Sequence, residues 1–299
     1  GYASNTYTNI GEANNRGIEM NLEWRDKTES GFEYNVGVNM STIRNRMTKL
    51  NGGTPISDGP FRNGSMYLTY TNEGMPIGAF WGYKTDGLIQ TQEQLNAVKR
   101  ADFQPNAELG DVLFVDTNGD GKLDSSDRCM IGNPIPDIIY GINMGMAWKG
   151  FDLNLQFGGT IGNQIFNAMR YYTYFPNDIT NKDRALMNYW TPNNTNTDIP
   201  RLTATDVNDN DRFSDMYVEN GTYFRSRNAQ LGYTLPASLT QRIKLQKVRF
   251  YVSGQNLFTI SSYSGMDPEV GPSSSLSRGI DYGIYPQNIS FTGGINVTF

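Results

Sequence analysis

The chain has 299 residues, 12% of them aromatic and 37% hydrophobic, with a mean hydropathy of -0.53 and a net charge of -5. The acidic balance argues against a nucleic-acid surface, and the single cysteine excludes an internal disulfide framework. The sequence has no histidine, which excludes Ser-His-Asp and Cys-His catalysis, and no carboxylates are marked as a facing pair, so we predict that the chain is not an enzyme.

Seven segments in chain order alternate apolar and polar residues. They are residues 16–27, 32–44, 138–149, 151–159, 221–233, 246–258 and 289–299. Alternation gives a strand one apolar and one polar face, and a length of about 9–11 residues suits a membrane-spanning strand. No run of eighteen apolar residues provides a membrane helix. We therefore predict an all-β fold, a transmembrane antiparallel β-barrel whose low mean hydropathy results from the alternation.

The fifth segment, residues 221–233, changes phase along its length. Phe224 follows one alternation and Leu231 follows the other. Arg225 and Arg227 can both lie on the polar face only if the phase slips between them and the end of the strand. We therefore predict a β-bulge near Asn228.

The connections between the segments alternate in length. Short turns are predicted at residues 28–31, at Gly150 and at 234–245, and long connections at 45–137, 160–220 and 259–286. Outer-membrane barrels have short periplasmic turns and long extracellular loops, so the long connections, and residues 1–15, are predicted to be outside. The loop aromatics Tyr171, Tyr172, Tyr174 and Phe175 suit either ligand stacking or packing within an outer cap, and packing is favoured. Residues 181–190 are predicted to form a short helix.

Seven strands cannot close a barrel in which every backbone group must be hydrogen-bonded in lipid. A second piece of chain is therefore expected to supply further strands. The simplest interpretation is that these residues belong to a longer polypeptide that was cut or split, and the alternative is a homo-oligomer that shares strands.

Residues 116–127 read D-T-N-G-D-G-K-L-D-S-S-D and have the spacing of a twelve-residue calcium loop. The predicted ligands are Asp116, Asn118, Asp120, the Lys122 carbonyl, Asp124 and Asp127. Gly121 stands at the sixth position, where the turn is sharpest. The last ligand is Asp rather than Glu, and the flanks do not read as helices, so the loop is closer to those of dockerin modules than to an EF-hand. A structural Ca²⁺ that pins the connection 45–137 is favoured over Mg²⁺ on ligand number, and the alternative is an Asx-rich turn.

Several motifs carry a resemblance to a known family. They are N-R-G-I-E at 15–19, P-I-G-A-F-W-G-Y-K-T-D-G-L at 76–88, G-D-V-L-F-V-D-T-N-G-D-G-K-L-D at 110–124, D-R-C-M-I-G-N-P-I-P-D at 127–137, F-R-S-R-N-A-Q-L-G-Y-T-L-P at 224–236 and V-S-G-Q-N-L-F at 252–258. With the terminal strand ending at Phe299, they make the whole chain resemble the C-terminal part of the SusC/RagA family of TonB-dependent outer-membrane transporters of Bacteroidetes.

The resemblance implies a plugged barrel of about 22 strands, of which this chain would supply the last seven and residues upstream the other fifteen or so. It implies an N-terminal plug and a TonB box, neither of which we expect within residues 1–299. It also implies a SusD-like surface lipoprotein as partner, coupling to TonB through the missing N-terminal part, and import of glycans or oligopeptides across the Gram-negative outer membrane. Phe299 resembles the C-terminal signal of the barrel-assembly machinery.

Two other functions fit parts of the pattern. A passive porin would need neither plug nor energy. A calcium-dependent surface adhesin or glycan-binding module with a β-sandwich would be soluble without detergent, and the seven long strands argue against it.

Overall fold

The computed structural model describes residues 11–174, 181–272 and 274–299. The strands in these ranges are β1 (Gly11–Arg16), β2 (Glu19–Lys27), β3 (Glu33–Thr42), β4 (Arg44–Leu50), β5 (Ile56–Phe61), β6 (Met66–Thr71), β7 (Ala79–Gly82), β8 (Thr85–Leu88), β9 (Val112–Phe114), β10 (Cys129–Gly132), β11 (Ile138–Trp148), β12 (Phe151–Ile161), β13 (Gln164–Asn167), β14 (Val218–Asn220), β15 (Tyr223–Thr234), β16 (Lys247–Gln255), β17 (Thr259–Ser261), β18 (Ile280–Asp281) and β19 (Ser290–Thr298).

The helices are few and short. The α-helices are α1 (Gln92–Arg100), α2 (Ala168–Tyr174) and α3 (Ala237–Thr240), and the 3-10 helices are Ser125–Asp127, Arg184–Asn188, Asp215–Tyr217 and Gln241–Ile243. No helix in the described ranges is long and apolar enough to cross a membrane. The helix predicted at 181–190 is confirmed only as the shorter 3-10 helix Arg184–Asn188, which Asp183 caps by accepting a hydrogen bond from the Ala185 N–H.

Seven strands form one antiparallel sheet in the order β19-β16-β15-β12-β11-β3-β2, which we call the wall. They correspond one for one to the seven predicted segments, and all are hydrogen-bonded to their neighbours in chain order. The prediction of an antiparallel all-β fold is confirmed. The first predicted segment is interrupted at Gly17 and Ile18, which separate β1 from β2, and β1 pairs with β4 as an extension of the β2–β3 hairpin.

The wall has an apolar outer face and a polar inner face. Along β11 the outer residues are Ile138, Tyr140, Ile142, Met144, Met146 and Trp148. These ten steps span roughly 34 Å along the strand, or about 26 Å across a layer if the strand tilts by about 40°. That height matches the apolar band of about 25 Å around outer-membrane barrels. On the last strand, Phe291 is 78% exposed on the same face, which favours contact with lipid rather than water.

The predicted β-bulge lies in β15. Asn228 pairs with Gln156, but the next pair along β12 joins Phe157 to Ser226, so Arg227 is the extra residue. The shift places Phe224 and Leu231 on the same outer face although their sequence separation is odd. Arg225 and Arg227 can then both turn to the inner face, as predicted.

The three long connections are folded into a cap rather than being irregular loops. They contain the sheet β10-β7-β6-β5, the sheet β14-β13-β18, the pair β8-β9 and helix α1, none of which the alternation pattern predicted. A shared core joins all three connections. Its buried members are Phe61, Leu68, Phe80, Phe166, Ala168, Tyr171, Phe213, Tyr217 and Ile280.

The interpretation of the loop aromatics as packing residues is confirmed for Tyr171. Its ring lies 5.0 Å from the rings of Phe61 and Tyr217, and its hydroxyl donates to the Asp211 carbonyl at 3.1 Å. Burial is the main reason why the pKa of the Tyr171 hydroxyl is raised, with a further contribution from the Asp211 carboxylate. Phe175 lies outside the described residues.

Within the described residues, the wall has two open edges. β2 pairs only with β3, and β19 pairs only with β16. Both edge strands carry exposed apolar side chains on their outer face, including Trp24 and Phe291. An apolar sheet with unpaired edges is unstable in lipid and prone to aggregate in water, so further strands are needed on both sides.

Candidate functional site

The acidic loop 116–127 connects two small sheets of the cap. It follows β9, which pairs with β8, and precedes β10, which pairs with β7. The flanks are therefore extended, as the sequence indicated. Arg128 fixes the exit of the loop, because its Nη2 donates to the Trp81 carbonyl at 2.9 Å and to the Tyr67 carbonyl at 3.2 Å.

The loop side chains accept hydrogen bonds from the backbone of the loop itself. Asp116 accepts from the N–H groups of Gly119 and Gly121 at 2.6 and 2.8 Å. Asn118 accepts from the Asp120 N–H, and Asp120 accepts from the Lys122 N–H, each at 2.8 Å. These are the Asx turns that the alternative interpretation expected.

Asp124 and Asp127 close the end of the loop. The Asp124 carboxylate accepts from the Ser126 N–H at 2.7 Å. Asp127 is fully buried, and its two carboxylate oxygens accept from the N–H groups of Thr117 and Asp124, both at 3.0 Å. Asp127 therefore ties the beginning of the loop to its end.

Backbone hydrogen bonds also lower the pKa values of two carboxyl groups in the loop. The Gly121 N–H is the largest contribution that lowers the pKa of Asp116, and the Ser126 N–H has the same role at Asp124. Both carboxylates are thus ionised at neutral pH. Gly121 has φ +76°, which is the left-handed backbone expected at the sixth position.

The carboxylate and amide oxygens of the loop are suitable ligands for a hard cation such as Ca²⁺. In the described geometry, however, these oxygens do not surround a common point. Carboxylate and amide oxygens keep further lone pairs after accepting one N–H each. Among the residues that the structure describes, however, no group of three or more Asp, Glu, Cys or His side chains is arranged to share a metal ion. The calcium site remains a prediction.

The inner face of the wall carries a second polar arrangement, at the end of the short turns. The Arg249 guanidinium donates to both oxygens of Asp152, with Nε to Oδ1 at 2.9 Å, and to the Gln230 Oε1 at 3.1 Å. These three residues stand on β16, β12 and β15. A bidentate contact across three neighbouring strands fixes their register on the polar face.

An ion cluster lies on the inner face at the bulge, where the wall meets the described part of residues 262–289, which we call the strap. Arg225 Nη2 lies 2.5 Å from Asp267 Oδ1, and its Nη1 lies 2.8 Å from Glu269 Oε2. Arg227 contacts both oxygens of Glu269 at 2.9 Å and the Tyr223 hydroxyl at 3.2 Å.

The cluster is buried at its centre, since Arg225 and Asp267 are 2% and 4% exposed. The sequence placed the two arginines on the inner face but did not identify their acidic partners, which lie about forty residues further along the chain. Two unmatched arginines on one face were the available signal that carboxylates must come from another segment.

Comparisons with known proteins agree with this architecture. No family model matches the chain. The chain is 36% identical over 308 residues to the TonB-dependent receptor P3 of Formosa agariphila, covering 99% of this chain and 30% of the receptor. It is 27% identical over 292 residues to the TonB-dependent receptor SusC of Bacteroides thetaiotaomicron, covering 97% of this chain and 27% of SusC.

The fold is also similar to that of a solved transporter. A chain of the RagAB peptide transporter superposes with a TM-score of 0.74 at 23% identity, over 97% of this chain and 29% of that one. Over nearly its whole length the chain is therefore similar to part of the SusC/RagA-like TonB-dependent receptors, in sequence and in fold. The relatives are named as receptors and a transporter, and the prediction that the chain is not an enzyme is confirmed.

The SusC/RagA-like motifs fall at structural junctions. F-R-S-R at 224–227 forms the bulge and the arginine half of the ion cluster. The motif at 110–124 supplies β9 and the first part of the acidic loop, and the motif at 127–137 supplies β10 and the entry to β11. The chain spans about 30% of the length of the first relative.

Proposed function

We propose that this chain forms the C-terminal wall and outer cap of an energised outer-membrane importer of nutrients. The observation that carries the proposal is the seven-stranded wall, with an apolar outer face, a polar inner face and two open edges. Strands with these two faces suit lipid on one side and an aqueous lumen on the other. The open edges suit a larger barrel that the rest of the polypeptide completes, in keeping with the SusC and RagAB likeness.

The proposed partners follow from the relatives. A SusD-like surface lipoprotein would cover the cap, and TonB would contact the N-terminal part of the whole polypeptide. The proposed cargo is a glycan or an oligopeptide. The packed cap supports this assignment over an adhesin, because its core residues belong to all three long connections, which therefore lie together at one end of the wall as the long loops of an outer-membrane barrel do.

The test is uptake by the native bacterium and by a strain lacking the full-length polypeptide that contains this chain. Labelled oligosaccharide and oligopeptide mixtures are supplied with and without a proton uncoupler. We expect the deletion and the uncoupler each to abolish uptake of one mixture. Uptake that depends on the polypeptide but resists the uncoupler would identify a passive porin. Extraction of the whole polypeptide without detergent would support the adhesin.

We also propose that the acidic loop binds a structural Ca²⁺ that pins the cap. The supporting observations are the calcium-loop spacing of the carboxylate and amide oxygens from Asp116 to Asp127 and the left-handed turn at Gly121. Calcium titration of the full-length polypeptide by calorimetry tests this, with Asp116→Asn and Asp120→Asn as variants and Asp209→Asn as the control elsewhere on the cap. Unchanged calcium binding in both variants would favour the Asx-rich turn.

A further inference from the structure

An open cleft of about 480 Å³ lies between the inner face of the wall and the strap. On the wall side it is lined by Ile139, Gly158 and Thr160 of β11 and β12. On the strap side it is lined by Pro268 and Val270. The cleft lies on the inner side of the wall, at the end where the wall meets the strap.

The wall side of the cleft departs from the rest of the inner face. The other inner residues of β11 are Gly141, Asn143, Gly145 and Ala147, whereas Ile139 is apolar and 42% exposed. Covering an exposed isoleucine with a ligand is favourable, because it removes apolar surface from water. The sequence alternation places Ile139 on this face but gives no reason for an apolar residue there.

Gly158 leaves the floor of the cleft without a side chain. Its neighbour on the inner face is Arg227, whose Nε would lie 3.7 Å from a Cβ built at position 158. A glycine inside a strand often marks a place where a ligand or another backbone approaches closely. Gly158 is itself buried, so its missing side chain lowers the base of the cleft.

Among the residues that the structure describes, the charges around the cleft leave Arg278 available. The Glu269 carboxylate is held by Arg225 and Arg227 at 2.8–2.9 Å, and Asp267 pairs with Arg225 at 2.5 Å, so the two cations and the two anions compensate one another. Arg278 also lines the cleft and is exposed, and it makes no ion pair or side-chain hydrogen bond within the described residues. The cleft thus combines apolar walls with an uncompensated guanidinium.

The residues that line the cleft favour an oligopeptide over a glycan as its ligand. Recognition of a neutral sugar usually uses an exposed aromatic ring as a stacking platform. Of the aromatic residues that border the cleft, Tyr140 and Phe157 belong to the outer face of the wall, and Tyr223 is 5% exposed beneath the arginines. Apolar walls with a guanidinium instead match an apolar side chain next to a carboxylate.

We propose that this cleft binds an extended peptide, with an apolar side chain against Ile139 and Val270 and a carboxylate on Arg278. The inference rests on the proposed import function and specifies its substrate class. The ion cluster is a positioning element here, because it fixes the strap and hence the width of the cleft.

The test uses the full-length polypeptide in detergent and two synthetic octapeptides of Ala, Val and Pro that differ only in one central Asp or Asn. Fluorescence anisotropy measures the affinity of each. We expect the Asp peptide to bind about tenfold more tightly, which is the discrimination expected from one charge-assisted pair. Arg278→Gln should remove that preference, Ile139→Asn should weaken both peptides equally, and Arg184→Gln, at an exposed arginine of the cap, should change neither.

Two results would overturn the inference. One is an unchanged preference for Asp over Asn in Arg278→Gln, and the other is binding of maltohexaose with no binding of either peptide. If energised uptake of an oligosaccharide accompanies the second result, the proposed import function stands and only the peptide assignment fails. Absence of any energised uptake would instead refute the import function itself.

Discussion

A charge placed on the outer face of the wall tests whether that face meets lipid. Met144 lies on this face of β11, six residues from Ile138 and four from Trp148, and therefore near the middle of the apolar band. Its neighbours across the two strand pairs are Leu155 and Val36. Met144→Arg thus places a guanidinium at the depth where it is most costly.

The expected loss of folding free energy is about 2–4 kcal/mol, the typical cost of Arg at the midplane of a β-barrel. The matched control is Asn143→Arg, one residue away on the exposed inner face, where the cost should be within about 0.5 kcal/mol. The two substitutions add the same side chain to the same strand. Their difference therefore isolates the environment of each face.

The assay is urea titration of the full-length polypeptide in lipid vesicles, with the folded fraction followed by the mobility of the unheated protein on a gel. We expect a lower midpoint for Met144→Arg and an unchanged one for Asn143→Arg. Equal losses for the two variants would refute the membrane orientation of the wall. A larger loss of folding free energy for Asn143→Arg than for Met144→Arg would indicate that the polar face, and not the apolar face, is packed against other residues.

Three further outcomes are expected. Asp267→Asn should destabilise the strap by about 2–3 kcal/mol, because the buried Arg225 loses one of two carboxylates, whereas Asp209→Asn at an exposed ion pair should cost about 0–1 kcal/mol. Limited proteolysis of residues 262–289 should therefore be faster in Asp267→Asn and unchanged in Asp209→Asn. Burial acts to raise the pKa of Asp267, but backbone N–H groups and Arg225 outweigh it and lower the pKa. Its contribution should therefore be complete at neutral pH and disappear as the pH falls below about 4, in a titration of strap protection. Gly121→Ala should cost about 1–2 kcal/mol through backbone strain alone, since a Cβ there meets no atom within 4 Å, and Gly271→Ala, without a left-handed φ, is the control in thermal unfolding.

The proteolysis prediction has a clear contrary result. If Asp267→Asn leaves the strap as resistant as the parent, the ion cluster does not hold the strap to the wall. For the acidic loop, equal stability of Gly121→Ala and Gly271→Ala would contradict the left-handed turn.

The sequence alone was sufficient for the wall. Its order, its two faces and even the phase slip in β15 were predicted, because a strand has a period of two residues and one side of this sheet is apolar along its whole length. The turn at Lys149 and Gly150, both with positive φ, also followed from local chemistry. Such features depend on neighbours within a few residues of the chain.

Only the tertiary structure determined the cap and its contacts with the wall. The pairing of Arg225 with Asp267 joins residues 42 positions apart, and the core around Tyr171 takes Phe61 from one connection and Tyr217 from another. Short strands such as β7 and β13 are buried on both faces, so they lack the alternation by which the wall strands were found. A residue that packs in three dimensions is not distinguished in the sequence from one that binds a ligand. The partners of Arg225, the residues that pack around Tyr171 and the cleft beside Ile139 therefore became known only from the fold.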